Sequence, residues 1–143
     1  MNDPRFSSLL AAISQQIGVD LTLQEDEMLV FEMEGGATGS VAYDDKTSDV
    51  LISLDDPVPP TLDVTSDDFM SQALRANYRL FRSQGISLGF IEQTSTVRYS
   101  MAWPIQALDA IAALECLNQL AELSGKIPEV LADPDEDATE TSS

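Results

Sequence analysis

The sequence predicts an α+β fold, with one antiparallel sheet, helices packed against it, and the order helix–three strands–helix–two strands–helix. Three observations predict it. Apolar residues recur at helical spacing in three separate segments. Short alternating runs bounded by turn residues lie between those segments. Within each group the links are too short to hold a crossover helix, so neighbouring strands must run antiparallel. At 143 residues and 43% hydrophobic content, the chain has the length of one domain and enough apolar material for a core. Residues 1–131 are expected to form that single domain. The segment "ADPDEDATETSS" (132–143) is acidic, small and polar, and is expected to be a disordered tail.

Each element has a local cause. Asp3 followed by Pro4 suits a helix start, and Phe6, Leu9, Leu10, Ile13 and Ile17 then recur on one face up to Gly18. "EMLVFEME" (27–34) alternates, with Leu29, Phe31 and Met33 on one face and Met28, Val30 and Glu32 on the other. Gly35 and Gly36 stop it. "GSVAYDD" and "DVLISLDD" come next as two more strands about the turn "DDKTSD". "DDPVPPTLDV" (55–64) reads as irregular, because its prolines remove donors and restrict their neighbours.

Ser66 with Asp67 and Asp68 caps a second helix, lined on one side by Phe69, Ala73, Leu74, Asn77, Tyr78 and Phe81. Arg75, Arg79 and Arg82 sit in its middle and last turns, and Gly85 ends it. "ISLGFIE" and "STVRYSMAW" are a strand pair about a turn at 93–95. Pro104 is expected to open a third helix, with Ile105, Leu108, Ile111, Ala112, Leu114, Leu117, Leu120 and Leu123 in its apolar arc and Gly125 at its end.

Composition narrows the function. The 25 acidic and 7 basic residues leave a net charge near −18, which repels nucleic acid and favours basic or neutral partners. The single cysteine, Cys116, excludes an intramolecular disulfide and suits a small buried hydrophobe on the third helix. With no histidine, no imidazole is present to activate a nucleophile. No metal site, cofactor motif or phosphate-binding loop is legible. No apolar run reaches the ~20 residues of a membrane span. The N-terminus lacks the order of a signal peptide, so no membrane insertion and a cytoplasmic location are expected. Asp44–Asp45, Asp55–Asp56 and Asp67–Asp68 could tempt an acid–base or metal reading, but they fall at expected turns and a helix start, where solvated acids are favoured.

The strands at 28–33 and from Ile86 onward are apolar on much of both faces, and such a strand wants cover on both. For the strand at Ile86 a partner is the favoured cover, because three helices must serve five strands and also pack on each other.

The stretch "ALRANYRLFRSQGISLGF" resembles the helix-to-strand signature of the class I type III secretion effector chaperones, the family that includes the Tir chaperone. The matching residues are Leu74, Ala76 and Asn77, then Gly85, Leu88 and Gly89. "VRYSMAWPIQALDAIAALECLNQLAELSGKI" is similar to the family's second paired strand and terminal helix. Residues 4–126 match the family in element order, with the residue-level match concentrated between 70 and 125. "QTSTVRYS" departs from the usual acidic or glycine turn, as does the proline-rich link at 55–64. Both leave the effector subclass open.

The resemblance implies a bacterial homodimer without catalysis or cofactor, holding the N-terminal segment of a secreted effector in an extended, soluble state, with the secretion ATPase as a further candidate partner. It also assigns surfaces. The first helix and the meander would make the effector groove, through Phe6, Leu9, Leu10, Ile13, Met28, Val30 and Phe31; the same residues suit the domain's own core at least equally. The dimer contact would use Tyr78, Ile86, Leu88, Phe90, Met101 and Trp103, with Trp103 more often a core anchor. Asn77 would close the helix-to-strand turn with a buried amide. The competing reading is a small acidic α+β adaptor that binds a folded regulatory protein.

Overall fold

The computed structural model describes residues 4–17, 29–32 and 36–132. The N-cap at Asp3, the stop at Gly18 and the tail beyond Ala132 lie outside them. The elements are α1 (Pro4–Ile17), β1 (Leu29–Glu32), β2 (Thr38–Asp44), β3 (Asp49–Pro57), α2 (Asp67–Gln84), β4 (Ser87–Ile91), β5 (Thr96–Pro104), a 3₁₀ turn (Ile105–Ala107), α3 (Ala110–Ala121) and α4 (Ile127–Leu131). The sheet is antiparallel throughout, in the order β1-β2-β3-β5-β4. The expected α+β class and element order are therefore present.

The strands carry a period-two burial pattern, as the pleat requires. In β3, Val50, Ile52, Leu54 and Asp56 are buried while Leu51, Ser53 and Asp55 point the other way. Register continues these rows across the sheet. Leu29, Val41, Ile52 and Met101 form one buried row; in the next, buried Val50 lies between half-buried Tyr43 and exposed Trp103. On this face α1 buries Phe6, Leu9, Leu10 and Ile13, with the Phe6 ring stacked on Tyr43 at 5.2 Å between centroids. Ala113, Cys116, Leu117 and Leu120 of α3 complete the core over β3.

Within β1, Phe31 sits opposite Gly39, and a Cβ added to that glycine would stand 2.6 Å from the ring. Only a residue without a side chain lets the ring lie flat there.

Two boundaries differ from expectation. β3 runs through Asp55 and Asp56 to Pro57, because a proline can end a strand opposite Thr96 without breaking the ladder before it. Pro104 ends β5 instead of opening a helix; after the 3₁₀ turn, α3 starts at Ala110 under the Asp109 cap, whose side chain accepts the Ala112 N–H at 2.8 Å. The short α4 was not legible, since five residues carry too little periodicity to read.

Candidate protein-docking surface

α2 packs at the β4 end of the sheet, and its limits arise from its sequence. The Ser66 hydroxyl accepts the Phe69 N–H at 3.1 Å, while Asp67 and Asp68 lie at the positive end of the helix dipole. Gly85, at φ 71°, supplies the left-handed turn that ends it.

Around the helix, at about 100° per residue, side chains sort into stripes. Phe69, Ala73, Ala76 and Leu80 are buried, with Phe69 edge-on to Phe90 at 5.0 Å. Asn77 comes next, and its Oδ1 accepts the Leu88 N–H at 2.7 Å. Beyond it lie Met70, Leu74, Tyr78 and Phe81, at 48%, 67%, 62% and 62% exposure. Arg75, Arg79 and Arg82 flank that apolar stripe on its far side. Arg82 lies over the Tyr78 ring at 5.5 Å and donates to its hydroxyl at 3.1 Å. Arg79 reaches across to α4 and donates to the Val130 and Ala132 carbonyls at 2.7 and 3.1 Å. Grooves of about 610 and 410 Å³ run along this helix, both touching Tyr78 and Arg79.

The expected dimer residues distribute unevenly. Tyr78 is in the exposed stripe and Trp103 is 39% exposed at the rim of the core face. Leu88 and Phe90 are half-buried. Ile86 and Met101 are buried in the core. Met70, Leu74 and Phe81 were not expected as interface residues. Helical periodicity places Leu74 and Phe81 beside Phe69 on one arc, and only packing separates the covered half from the open one.

The expected effector residues divide in the same way. Phe6, Leu9, Leu10 and Ile13 are all enclosed, because α1 lays this stripe into the sheet. Val30 is exposed and Phe31 half-buried, both on β1, while Met28 lies outside the described residues. β1 and β4 are the two sheet edges. At β4 the Leu88 N–H is already bonded to Asn77, whereas no strand pairs with the outer side of β1 among the described residues.

Asp56 is the acid that sequence reasoning misplaced. Instead of a solvated turn, it is an inward strand residue, 2% exposed, accepting the Gly125 N–H at 2.8 Å. Burial raises its pKa, and the Gly125 bond partly opposes this. Tyr99 is also raised, by burial and then by the nearby Asp56 charge. Its neighbour Asp55 faces the other way and makes a two-pronged pair with Arg98, at 2.6 and 2.9 Å. The Cys116 thiol is pushed up by burial, so it is an inert core group. Among the described residues no cluster of three metal-ligating side chains occurs, and no helix is long and apolar enough to cross a membrane.

The sheet buries one face in the core, and α2 leaves an apolar face open at its β4 end. The chain belongs to the Tir chaperone protein (CesT) family, whose model matches residues 8–125; this is a family of secretion chaperones and not of enzymes. No curated protein matches the sequence significantly. Among solved structures, it is similar to a chain of the ExsC–ExsE complex, with 20% identity, TM-score 0.72, and 87% of this chain and 91% of that one covered. It is also similar to a chain of the HopA1–SchA chaperone–effector complex, at 13% identity and TM-score 0.67, covering 82% and 88%. The Yersinia pestis type III secretion chaperone SycH, solved with a stable fragment of YscM2, gives 11% identity and TM-score 0.59, covering 82% and 94%. These likenesses share the fold described above.

Proposed function

We propose that this protein is a homodimeric type III secretion chaperone of the bacterial cytoplasm, which holds the N-terminal segment of a secreted effector in an extended, secretion-competent form. The observation that carries the reading is the exposed stripe Met70, Leu74, Tyr78 and Phe81 on a chain of net charge −18. A contiguous apolar surface of this kind marks an interaction site. A helix face that pairs with its own copy across a two-fold axis covers it symmetrically. Tyr78 belongs to that contact, with Trp103, Leu88 and Phe90 at its margins.

The effector then uses a different part of the sheet. An extended segment needs backbone partners and apolar contacts, and the outer edge of β1, with exposed Val30 and half-buried Phe31, is suited to offer them. The buried α1 quartet fixes the sheet face beneath. Ordering the segment costs roughly 2–5 kcal/mol or more, so a dimer offering two such edges is the economical arrangement. The secretion ATPase is a further partner of the loaded complex under this reading.

The experiment is affinity purification from the native host, then limited proteolysis, mass spectrometry and sedimentation equilibrium of the material that co-purifies. A protected N-terminal fragment of a larger protein, bound to two copies of this chain, is expected. A partner that is folded and resists digestion along its whole length would favour the adaptor reading instead.

A further inference from the structure

Among the described residues, the helices serve one side of the sheet. α1 stacks on Tyr43 of β2, α3 packs on β3, α2 sets Phe69 against Phe90 of β4, and α4 packs on α2. On the opposite face, register sets Ser40, Ser53, Ser100 and Ser87 in one unbroken row across β2, β3, β5 and β4. The next row is Ala42, Leu51 and Ala102, with Leu51 38% exposed. β-Branched and aromatic side chains suit a pleated surface best, yet these two rows hold short ones around a single leucine. Side chains this short leave little between the sheet and whatever lies on it.

The ends of this floor are charged. Asp44 and Asp49 stand directly opposite each other beside the β2–β3 turn, both partly accessible, and like charges so placed repel. At the other end Asp55 is already matched by Arg98. We infer that this outer face docks one amphipathic helix of a partner protein, with its apolar stripe on the Leu51 row and basic residues at one end meeting Asp44 and Asp49.

Dimensions and charge select that occupant. From β2 to β5 is two strand spacings, about 10 Å, the width of one helix. Asp49 to Asp55 covers about 20 Å of strand, the length of a helix of roughly 13 residues. An extended segment lying on a face, away from the edges, finds no backbone partners, whereas a helix arrives with its backbone bonds already made. A second copy of this chain, at net charge −18, would set acids against acids, and nucleic acid would be repelled in the same way. The inference is independent of the secretion reading, which uses the outer edge of β1 and the stripe on α2.

The test follows amide shifts of the isotope-labelled full chain with three synthetic helices of about 13 residues. The first has a Leu/Ala stripe and Lys at one end; the second has Glu in place of Lys, and the third Ser in place of Leu. The first should bind with a Kd below roughly 1 mM and move Ser40, Leu51, Ser53 and Ser100, and the other two should bind about tenfold more weakly or worse. Leu51→Lys and Ser53→Arg should each weaken the first peptide by about tenfold or more, whereas Leu74→Glu on α2 should leave it unchanged. Spectra without peptide report whether each variant keeps its fold, and the two outer-face variants check each other. No binding, shifts centred on α2 or the β1 edge, or binding indifferent to the Leu stripe or to both outer-face variants overturns the inference. So does weaker self-association of Leu51→Lys in sedimentation equilibrium, because the face would then belong to a contact between copies.

Discussion

The Asn77 side-chain oxygen accepts the backbone N–H of Leu88 at 2.7 Å, so a helix residue satisfies a donor on an edge strand of the sheet. One contact thereby ties α2 to β4 and removes a hydrogen-bonding group from the edge that a foreign strand would use. Asn77→Ala leaves that half-buried donor unsatisfied, which costs about 1–3 kcal/mol. Chemical denaturation should register the loss, and hydrogen exchange at Leu88 should accelerate, while Asn77→Asp, which keeps an acceptor, loses less. Unchanged exchange in Asn77→Ala would contradict the assigned role.

Phe31 and Gly39 are coupled through space. Gly39→Ala drives a methyl into the ring and should destabilise the fold by about 1–3 kcal/mol. Adding Phe31→Ala should recover part of that loss, giving a coupling energy above roughly 0.5 kcal/mol in a double-mutant cycle. Strictly additive costs would show that the ring has room to move.

Asp56 and Asp55 are adjacent in sequence and opposite in consequence. The Asp56 pKa is raised in the fold, so the folded state binds its proton more tightly than the unfolded chain does. Its contribution to stability is therefore present below the unfolded value and is lost as pH rises through the folded one. Asp56→Asn keeps an oxygen for the Gly125 N–H without the buried charge. It should melt higher than the native protein at pH 7, with the advantage shrinking as pH falls through the carboxylate range. An advantage that is constant with pH would contradict this.

Arg98→Ala breaks a pair whose members are both solvent-accessible, with Arg98 49% and Asp55 29% exposed. The loss should stay within about 1 kcal/mol and fade as salt screens the pair. A larger loss that survives at high salt would mean that the Arg98 stem contributes packing.

The α2 stripe should carry assembly without carrying the protomer fold. Leu74→Glu touches an exposed position, so protomer stability should move by no more than about 0.5 kcal/mol. In a two-fold contact the change is made twice, and self-association should weaken about 100-fold or more, some 2.7 kcal/mol. Sedimentation equilibrium distinguishes this from an unchanged dimer, which would remove the stripe from the interface.

Much of the architecture was legible because it is set locally. Ser66 and Gly85 mark α2 by capping chemistry alone, and the short links among the first three strands leave only an antiparallel meander. The fate of a side chain on an established element was harder to read. The apolar arc of α2 is wide enough to hold both Phe69, which is enclosed, and Leu74, which is open, and period alone does not divide it. Asp56 shows the converse, since an acid in "DDP" reads as a turn until the strand is seen to continue through it. Pro104 fits a strand end as well as a helix start, and the choice fell to the β3–β5 ladder, in which it pairs with Asp49.

That ladder also orders events at the ribosome. β5 lies between β3 and β4, so one side of β3 has no neighbour until Pro104 has been made. Synthesis of the 47 residues from Val58 to Pro104 takes roughly 2–9 s at about 5–20 residues per second. A protein proposed to shelter another's unfolded segment thus emerges with an open strand of its own, guarded by the carboxylates of Asp49 and Asp55 until its last strand arrives.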